Sequence, residues 1–401
     1  MKREVVFLLM AGAVIALLAV SGCMEEREQA QVNLIYTRGT GPMPMMLATN
    51  QIDGYIAWQP FVEVGPVAGI GKVLVYSQDM PPKGRWTSHP CCVLTANNDM
   101  IQKSPELVDA LGALTILATQ YVREHPAEAA DVVADWLAGK GNFTYGEVSV
   151  SSVEVMNRAL PTIGFVNEPS EKWIAGNLDF LHALRDLGTI KGRLSNTTDN
   201  ESRAILFNSG PYHRAMEMIA NGTIPTPPKA ERQLGIGYLM SDHHAALFVA
   251  VKKWDLFESS YNISLRPRDP AQTRPEIVDL YVNGEKVAEF RLVAGDAGPQ
   301  LMQLSATDQI QFAFVGNPPA ISAIDSKVPV SILMAVNTEG SGVVIAKDAP
   351  ASDWTGFIRW AEERTQKNEP LRIAAPGKGS IQDVMIRYSL ESSGVKVVEV
   401  S

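Results

Sequence analysis

A continuous apolar block over residues 234–239, LGIGYL, is followed by the polar run Ser241-Asp242-His243-His244 and then by apolar positions at Ala245, Leu247, Phe248 and Val251. The unbroken block reads as a buried strand, Ser241-Asp242 as a helix N-cap, and the spaced stripe as the buried face of a helix. The polar tetrad then falls between the carboxyl end of a strand and the amino end of a helix, where open α/β sheets bind ligands. The same alternation recurs along the chain. Strands are predicted over 32–36, 72–76 and 89–95, and helices over 43–50, 104–124, 127–138, 150–160, 170–187 and 213–220. Ser104-Pro105-Glu106 opens the longest of these, with proline at the first helical position. Residues 196–202 read as a polar loop.

In the second half, alternating runs at 278–282 and 286–290 flank Asn283-Gly284, a strong hairpin signal. A helix over 300–305 and a strand over 311–315 lead to Gly316-Asn317, and a strand over 328–336 leads to the polar stretch 337–342. Strands at 343–346, 371–375 and 395–400 alternate with helices at 354–363 and up to 391, the second opened by Gly377-Lys378-Gly379-Ser380.

The amino end departs from this pattern. Met1-Lys2-Arg3 precedes an apolar run over 5–20, and Val20-Ser21-Gly22-Cys23 has the form of a lipobox. The run is shorter than the roughly 20 residues that a bilayer span needs, so a lipoprotein leader over 1–23 is expected, with lipid on Cys23 and the mature chain held on the extracytoplasmic face of the cell membrane. The alternative is a single membrane anchor. With 44 acidic against 35 basic side chains and no basic cluster beyond the leader, the chain is not expected to bind nucleic acid. Once Cys23 is lipidated only the adjacent pair Cys91-Cys92 remains, which gives no disulfide framework. The pair is expected on a strand, one thiol buried and the other half-buried. Asn142, Asn196, Asn200, Asn221 and Asn262 each begin an N-x-Ser/Thr sequon, compatible with export.

The block at 234–257 and the segment Ile52-Asp53-Gly54-Tyr55-Ile56-Ala57-Trp58-Gln59-Pro60-Phe61 together resemble the substrate-binding proteins of nitrate/sulfonate/taurine-type ABC transporters, a family that includes binders of thiamin-pyrimidine precursors. The resemblance implies an α/β, two-lobed, periplasmic-binding-protein-like fold of type II. Each lobe would be a mostly parallel sheet flanked by helices, with the ligand in the cleft between; the strand at 89–95 resembles the segment that crosses back between lobes, and 343–346 would cross to the second lobe. The order is unusual, because the segment that should come first begins past residue 230. Divided accordingly, the chain reads as leader 1–23, tether 24–30, main part of lobe II 31–165, carboxyl-terminal-type helices 166–220, proline-rich linker 221–232, lobe I 233–347 and the beginning of lobe II 348–401. These pieces make either one circularly permuted domain, joined between the 395 and 32 strands, or two half-domains.

Clefts of this kind hold small anions with backbone N–H groups, hydroxyls and amides. The candidate ligand contacts are Ser241, Asp242, His243, His244, Gly316, Asn317, Asn337, Thr338, Gly340 and Ser341 from lobe I, and Lys378, Gly379, Ser380 and Trp58 from lobe II. Each has an ordinary structural alternative: a strand-to-helix turn for 377–380, solvated imidazoles for His243-His244, a core aromatic for Trp58, a rim cation for Lys378. No spaced metal-ligand set, cofactor fingerprint or nucleophile elbow is present, so neither metal, cofactor nor catalysis is expected. The expected role is a solute receptor that hands a small anion, sulfonate, taurine or nitrate in type, to a membrane permease and its ATPase. The alternatives are a thiamin-pyrimidine-pathway-like binder or enzyme, and a ligand sensor without transport.

Overall fold

A computed structural model describes residues 29–139 and 141–400. The expected leader, Cys23, Ser401 and all of the tether except its last two residues lie outside them. Among the described residues no helix is long and apolar enough to cross a membrane.

The chain begins with β1 (Gln31–Tyr36), β2 (Gly54–Trp58) and β3 (Gly71–Tyr76), then passes through β4 (Cys92–Asn97), the hairpin β5 (Asn142–Tyr145) and β6 (Val148–Ser151), and the short β7 (Ile163–Phe165). After a run of helices come β8 (Leu234–Leu239), β9 (Ile263–Pro267), β10 (Ile277–Val282), β11 (Glu285–Gly295) and β12 (Phe312–Gly316). The last strands are β13 (Val330–Ala335), β14 (Asn337–Glu339), β15 (Ser341–Ala346), β16 (Leu371–Ala375) and β17 (Lys396–Val400). Two large sheets result: six strands in the order β17-β1-β16-β2-β15-β3 and seven in the order β13-β4-β12-β8-β11-β10-β9. Each has parallel pairs at its heart, β1 with β16 and β17 in one and β8 with β11 and β12 in the other. Antiparallel strands complete both edges of the seven-stranded sheet and the β3 edge of the six-stranded one, whose other edge is the parallel β17. Helices cover both sheets, so this is the α/β two-sheet architecture expected from the sequence.

The chain crosses between the sheets at two places. β4 inserts antiparallel between β12 and β13, although β1 to β3 lie in the other sheet. β15 returns from β13 to pair with β2 and β3. Where they cross, β14 pairs with β7.

Several expectations about local structure are corrected. Residues 196–202 are not a loop throughout: Thr198 caps a helix Asp199–Leu206 through a reciprocal capping box with Glu201, the Ser/Thr-x-x-Glu pattern. The stretch before 152 is the hairpin β5–β6, and the helix is only Ser152–Ala159, capped by Ser151. The division of the chain also falls differently. The helices Pro105–Glu124 and Pro126–Ala138, which fall within the 31–165 block assigned by sequence to lobe II, pack on the side of the seven-stranded sheet, and β4 joins that sheet as the crossing segment that the resemblance implies. The reason is apolar surface: every residue of β4 is buried, and Trp136 stacks on Phe248 of the helix Ala245–Lys252 with ring centroids 4.6 Å apart. The Asn283-Gly284 turn forms as read, both residues taking positive φ of 51° and 79°.

Candidate functional site

β8 ends at Leu239, and Ser241 caps the following turn by accepting a hydrogen bond from the N–H of His243 at 3.2 Å. The Ser241 hydroxyl donates across the cleft to the carbonyl of Gln59, 3.0 Å away at the end of β2. The imidazole of His244 folds back so that Nδ1 accepts the N–H of Leu239 at 2.9 Å. That bond fixes the tautomer of a neutral ring and leaves Nε2 as the donor. Nε2 is buried and has no partner within the protein.

His243 points the other way. Its Nε2 lies 2.8 Å from the carbonyl of Gly340, an acceptor only, so this nitrogen carries the proton. Nδ1 then faces Cys91 Sγ at 3.1 Å, Cys92 Sγ at 3.9 Å and Asn337 Oδ1 at 3.3 Å. Asn337 holds the group together by accepting the N–H of Cys92 through Oδ1 and donating through Nδ2 to the His243 carbonyl. Gly340 is required: at φ 76° a Cβ would stand 2.7 Å from the His243 ring.

The two sheets enclose a cavity of about 360 Å³, lined by Trp58, Leu239, Ser241, His243, His244, Gly316, Pro319 and Ser380 among others, and by both cysteines. Its free interior is small, enough for an occupant of few atoms. The Trp58 indole N–H, like His244 Nε2, is buried without a partner. Helices start at the wall from both sides: Gly316 precedes the helix Asn317–Asp325 and Ser380 caps Ile381–Ser392, accepting from Asp383 N at 3.2 Å.

The sequence-predicted residues divide into three groups. Trp58, Ser241, His243, His244, Gly316 and Ser380 line the cavity. Asp242, Asn317, Asn337, Gly340 and Ser341 lie close behind or hold its walls. Asn317 has both amide atoms buried and unpaired, the Asp242 carboxylate is likewise without a partner, and Ser341 accepts from Gln382 at 2.9 Å. Thr338, Lys378 and Gly379 are elsewhere. Thr338 sits in the β14–β7 pair, and Lys378, its side chain 61 % exposed, is ion-paired to Glu399 at 2.8 Å beside a separate groove that Gly379 also lines.

Sequence reasoning set Cys91 and Cys92 aside as structural thiols and left them out of the site. Both are buried, against the expectation of one half-buried thiol, because β4 lies inside the sheet between β12 and β13 and is covered on both faces, so it has no exposed side. Adjacency to His89-Pro90 at the crossing was the available signal. Together with His243 they form a cluster whose ligand atoms lie within 4.8 Å of one another. The Cys91 thiol donating to it lowers the Cys92 pKa well below the usual thiol value. Burial opposes this, while His243 and His244 reinforce it. Burial pushes Cys91 well up. For His243 burial works toward a lower value and is outweighed by its contact with Cys92, so the net direction is up. Burial raises the Asp242 carboxyl to about 7.

Comparison with known proteins bears on this arrangement. The model of the NMT1-like family matches residues 14–138 and 227–400. The chain belongs to the NMT1-like family. Membership supports a solute-binding protein of the nitrate/sulfonate type. The chain is also 36% identical over 107 residues to an uncharacterized protein of Methanocaldococcus jannaschii, an overlap that covers 26% of this chain and 71% of the relative. No solved structure matches.

Proposed function

We propose that this NMT1-like chain is the extracytoplasmic solute receptor of an ABC importer, a single permuted binding domain anchored by lipid on Cys23, that captures a small anion between its two sheets without converting it and presents it to permease and ATPase. The observation that carries the reading is the pair of buried, unpartnered donors, His244 Nε2–H and Trp58 Nε1–H, on two side chains that line a cavity walled by both sheets. A buried donor without a partner costs about 1–3 kcal/mol, and an anionic oxygen entering the cavity satisfies both at once. Helix amino ends on either side add partial positive charge without a formal cation. The small free volume favours compact solutes such as nitrate or the head of a sulfonate.

A second reading rests on the apolar part of the wall. Leu239, Pro319, Ile381 and Trp58 suit the faces of a flat heteroaromatic ring, as in thiamin-pyrimidine precursors. Thermal unfolding of the chain against nitrate, bicarbonate, alkanesulfonates, taurine and neutral pyrimidines separates the two, because a ligand that binds only the folded state raises the melting temperature by mass action. A shift with one class of anion is expected. A shift with pyrimidines alone, or with nothing, overturns the anion-receptor reading.

A further inference from the structure

We infer that Cys91, Cys92 and His243 form a binding site for a thiophilic cation of the Zn2+ class, with its fourth position open to the cavity. The inference does not rest on solute capture. Its basis is geometric. For tetrahedral zinc with Zn–S near 2.3 Å and Zn–N near 2.0–2.1 Å, neighbouring ligand atoms lie roughly 3.5–3.8 Å apart. The three edges here are 3.9 Å for Cys91 Sγ to Cys92 Sγ, 3.9 Å for Cys92 Sγ to His243 Nδ1 and 3.1 Å for Cys91 Sγ to His243 Nδ1. They straddle that range, so small side-chain rotations bring all three atoms to one centre.

The surroundings match what such a centre needs. The hydrogen bond from His243 Nε2 to the Gly340 carbonyl commits one ring nitrogen as donor and turns the other toward the sulfurs, the arrangement that orients metal-ligating imidazoles. Asn337 pins both the Cys92 backbone and the His243 carbonyl, so ligands from two distant segments are held in register. His244 is excluded as a ligand because its Nδ1 lone pair accepts Leu239 N–H, which leaves the proton of the neutral ring on Nε2 and no free lone pair for a cation. Two thiolates and a divalent ion give a neutral centre, which suits a buried site. Binding runs as one divalent ion and two thiols giving a bis-thiolate centre and two protons, with no redox change. Two soft sulfurs and one imidazole nitrogen select Zn2+-like ions over Mg2+ or Ca2+, which take oxygen ligands. Three protein ligands with a fourth position facing a cavity are the pattern of an open zinc site.

The test uses the full chain, reduced and stripped of metal by a chelator, titrated with Co2+ as a spectroscopic substitute and then with Zn2+. One equivalent of Co2+ is expected to produce a thiolate-to-cobalt charge-transfer band with tetrahedral ligand-field bands, which Zn2+ abolishes on displacement. Cys91→Ser and Cys92→Ser are each expected to weaken Co2+ binding at least about tenfold and to reduce the charge-transfer intensity. X-ray absorption at the zinc edge of the unmodified chain needs no variant to fold, and is expected to show two sulfurs and one imidazole nitrogen in the first shell. Absence of the charge-transfer band at stoichiometric Co2+, or a zinc shell of oxygen and nitrogen only, overturns the site. Solute shifts measured on the metal-free chain are read separately, so a failure here and a failure of the anion receptor are distinguishable.

Discussion

Val32 and Val397, near opposite ends of the chain, are register partners in adjacent parallel strands. The pairing is extended by Lys396 N–H donating to the Ala30 carbonyl at 2.8 Å. It places the two end strands in one sheet, as one permuted domain requires, but it also limits how they are joined. In register, Val400 stands beside Ile35 rather than beside Gln31, and parallel neighbours need a crossover of a dozen or more residues. A loop directly between the 395 and 32 strands, as sequence reasoning placed it, does not fit this geometry. If the chain is reopened in the linker at 221–232 and its ends are joined, a link of about four residues is expected to lower the melting temperature or prevent folding. A link of about fifteen flexible residues is expected to preserve it. Equal stability of both relinked chains, by circular dichroism, contradicts the parallel pairing.

Asn317 and Ser380 lie at the starts of helices from opposite sheets, and truncating them is expected to have different consequences. Both amide atoms of Asn317 are buried and unpaired, so Asn317→Ala removes no hydrogen bond within the protein and is expected to change unfolding little while weakening solute binding by about 1–3 kcal/mol. Ser380 also caps its helix, so Ser380→Ala adds a stability loss of about 1 kcal/mol. Titration calorimetry beside denaturant unfolding separates the two effects, and unchanged affinity in both variants moves the solute elsewhere.

His89 is buried at the crossing, its Nδ1 3.2 Å from the Pro90 carbonyl and its Nε2 2.9 Å from the Ser77 hydroxyl. Burial is the main cause that lowers its pKa from 6.5 to about 4. Between these values the unfolded chain binds the proton and the folded chain does not. The contribution of the neutral ring is therefore complete above pH 6.5 and lost as pH falls toward 4, by about 3 kcal/mol at most. His89→Gln is expected to flatten that part of the stability profile between pH 7 and 4. Urea unfolding at stepped pH checks it, and parallel profiles for the two proteins assign the acid sensitivity to other groups.

Trp136 is fully buried and stacked on Phe248. Trp136→Ala is expected to cost about 3–5 kcal/mol, because the helix Pro126–Ala138 loses its stack on Phe248 and its edge-on contact with Tyr238 of β8. If that helix belonged to the other lobe, the loss would not weaken the packing around β8. Hydrogen exchange at β8 amides after the substitution reports which sheet is loosened.

Much of this protein was fixed by local pattern. The block at 234–239, the stripe behind Ser241 and the Asn283-Gly284 turn specify strand, helix and hairpin through periodicity and backbone preference, which need no distant partner. Ser241, His243 and His244 of the polar tetrad line the cavity, and the tetrad stood out in sequence because strand-to-helix junctions present unpaired N–H groups wherever they occur. Tertiary structure decided the rest. Whether β4 joined the first or second sheet depended on which apolar surface lay open between β12 and β13; the periodicity of CVLTAN does not record that choice, and only the family resemblance implied a crossing there. The thiols became neighbours of His243 only because the chain crosses between sheets at residue 91, while Gly340 leaves room for the ring and Asn337 ties the two segments together. Lys378 looked like an anion's partner in sequence, but an exposed cation pairs with whichever carboxylate the fold brings near, here Glu399. Side-chain chemistry is written residue by residue, whereas proximity between residues far apart in the chain is set by how the sheets assemble.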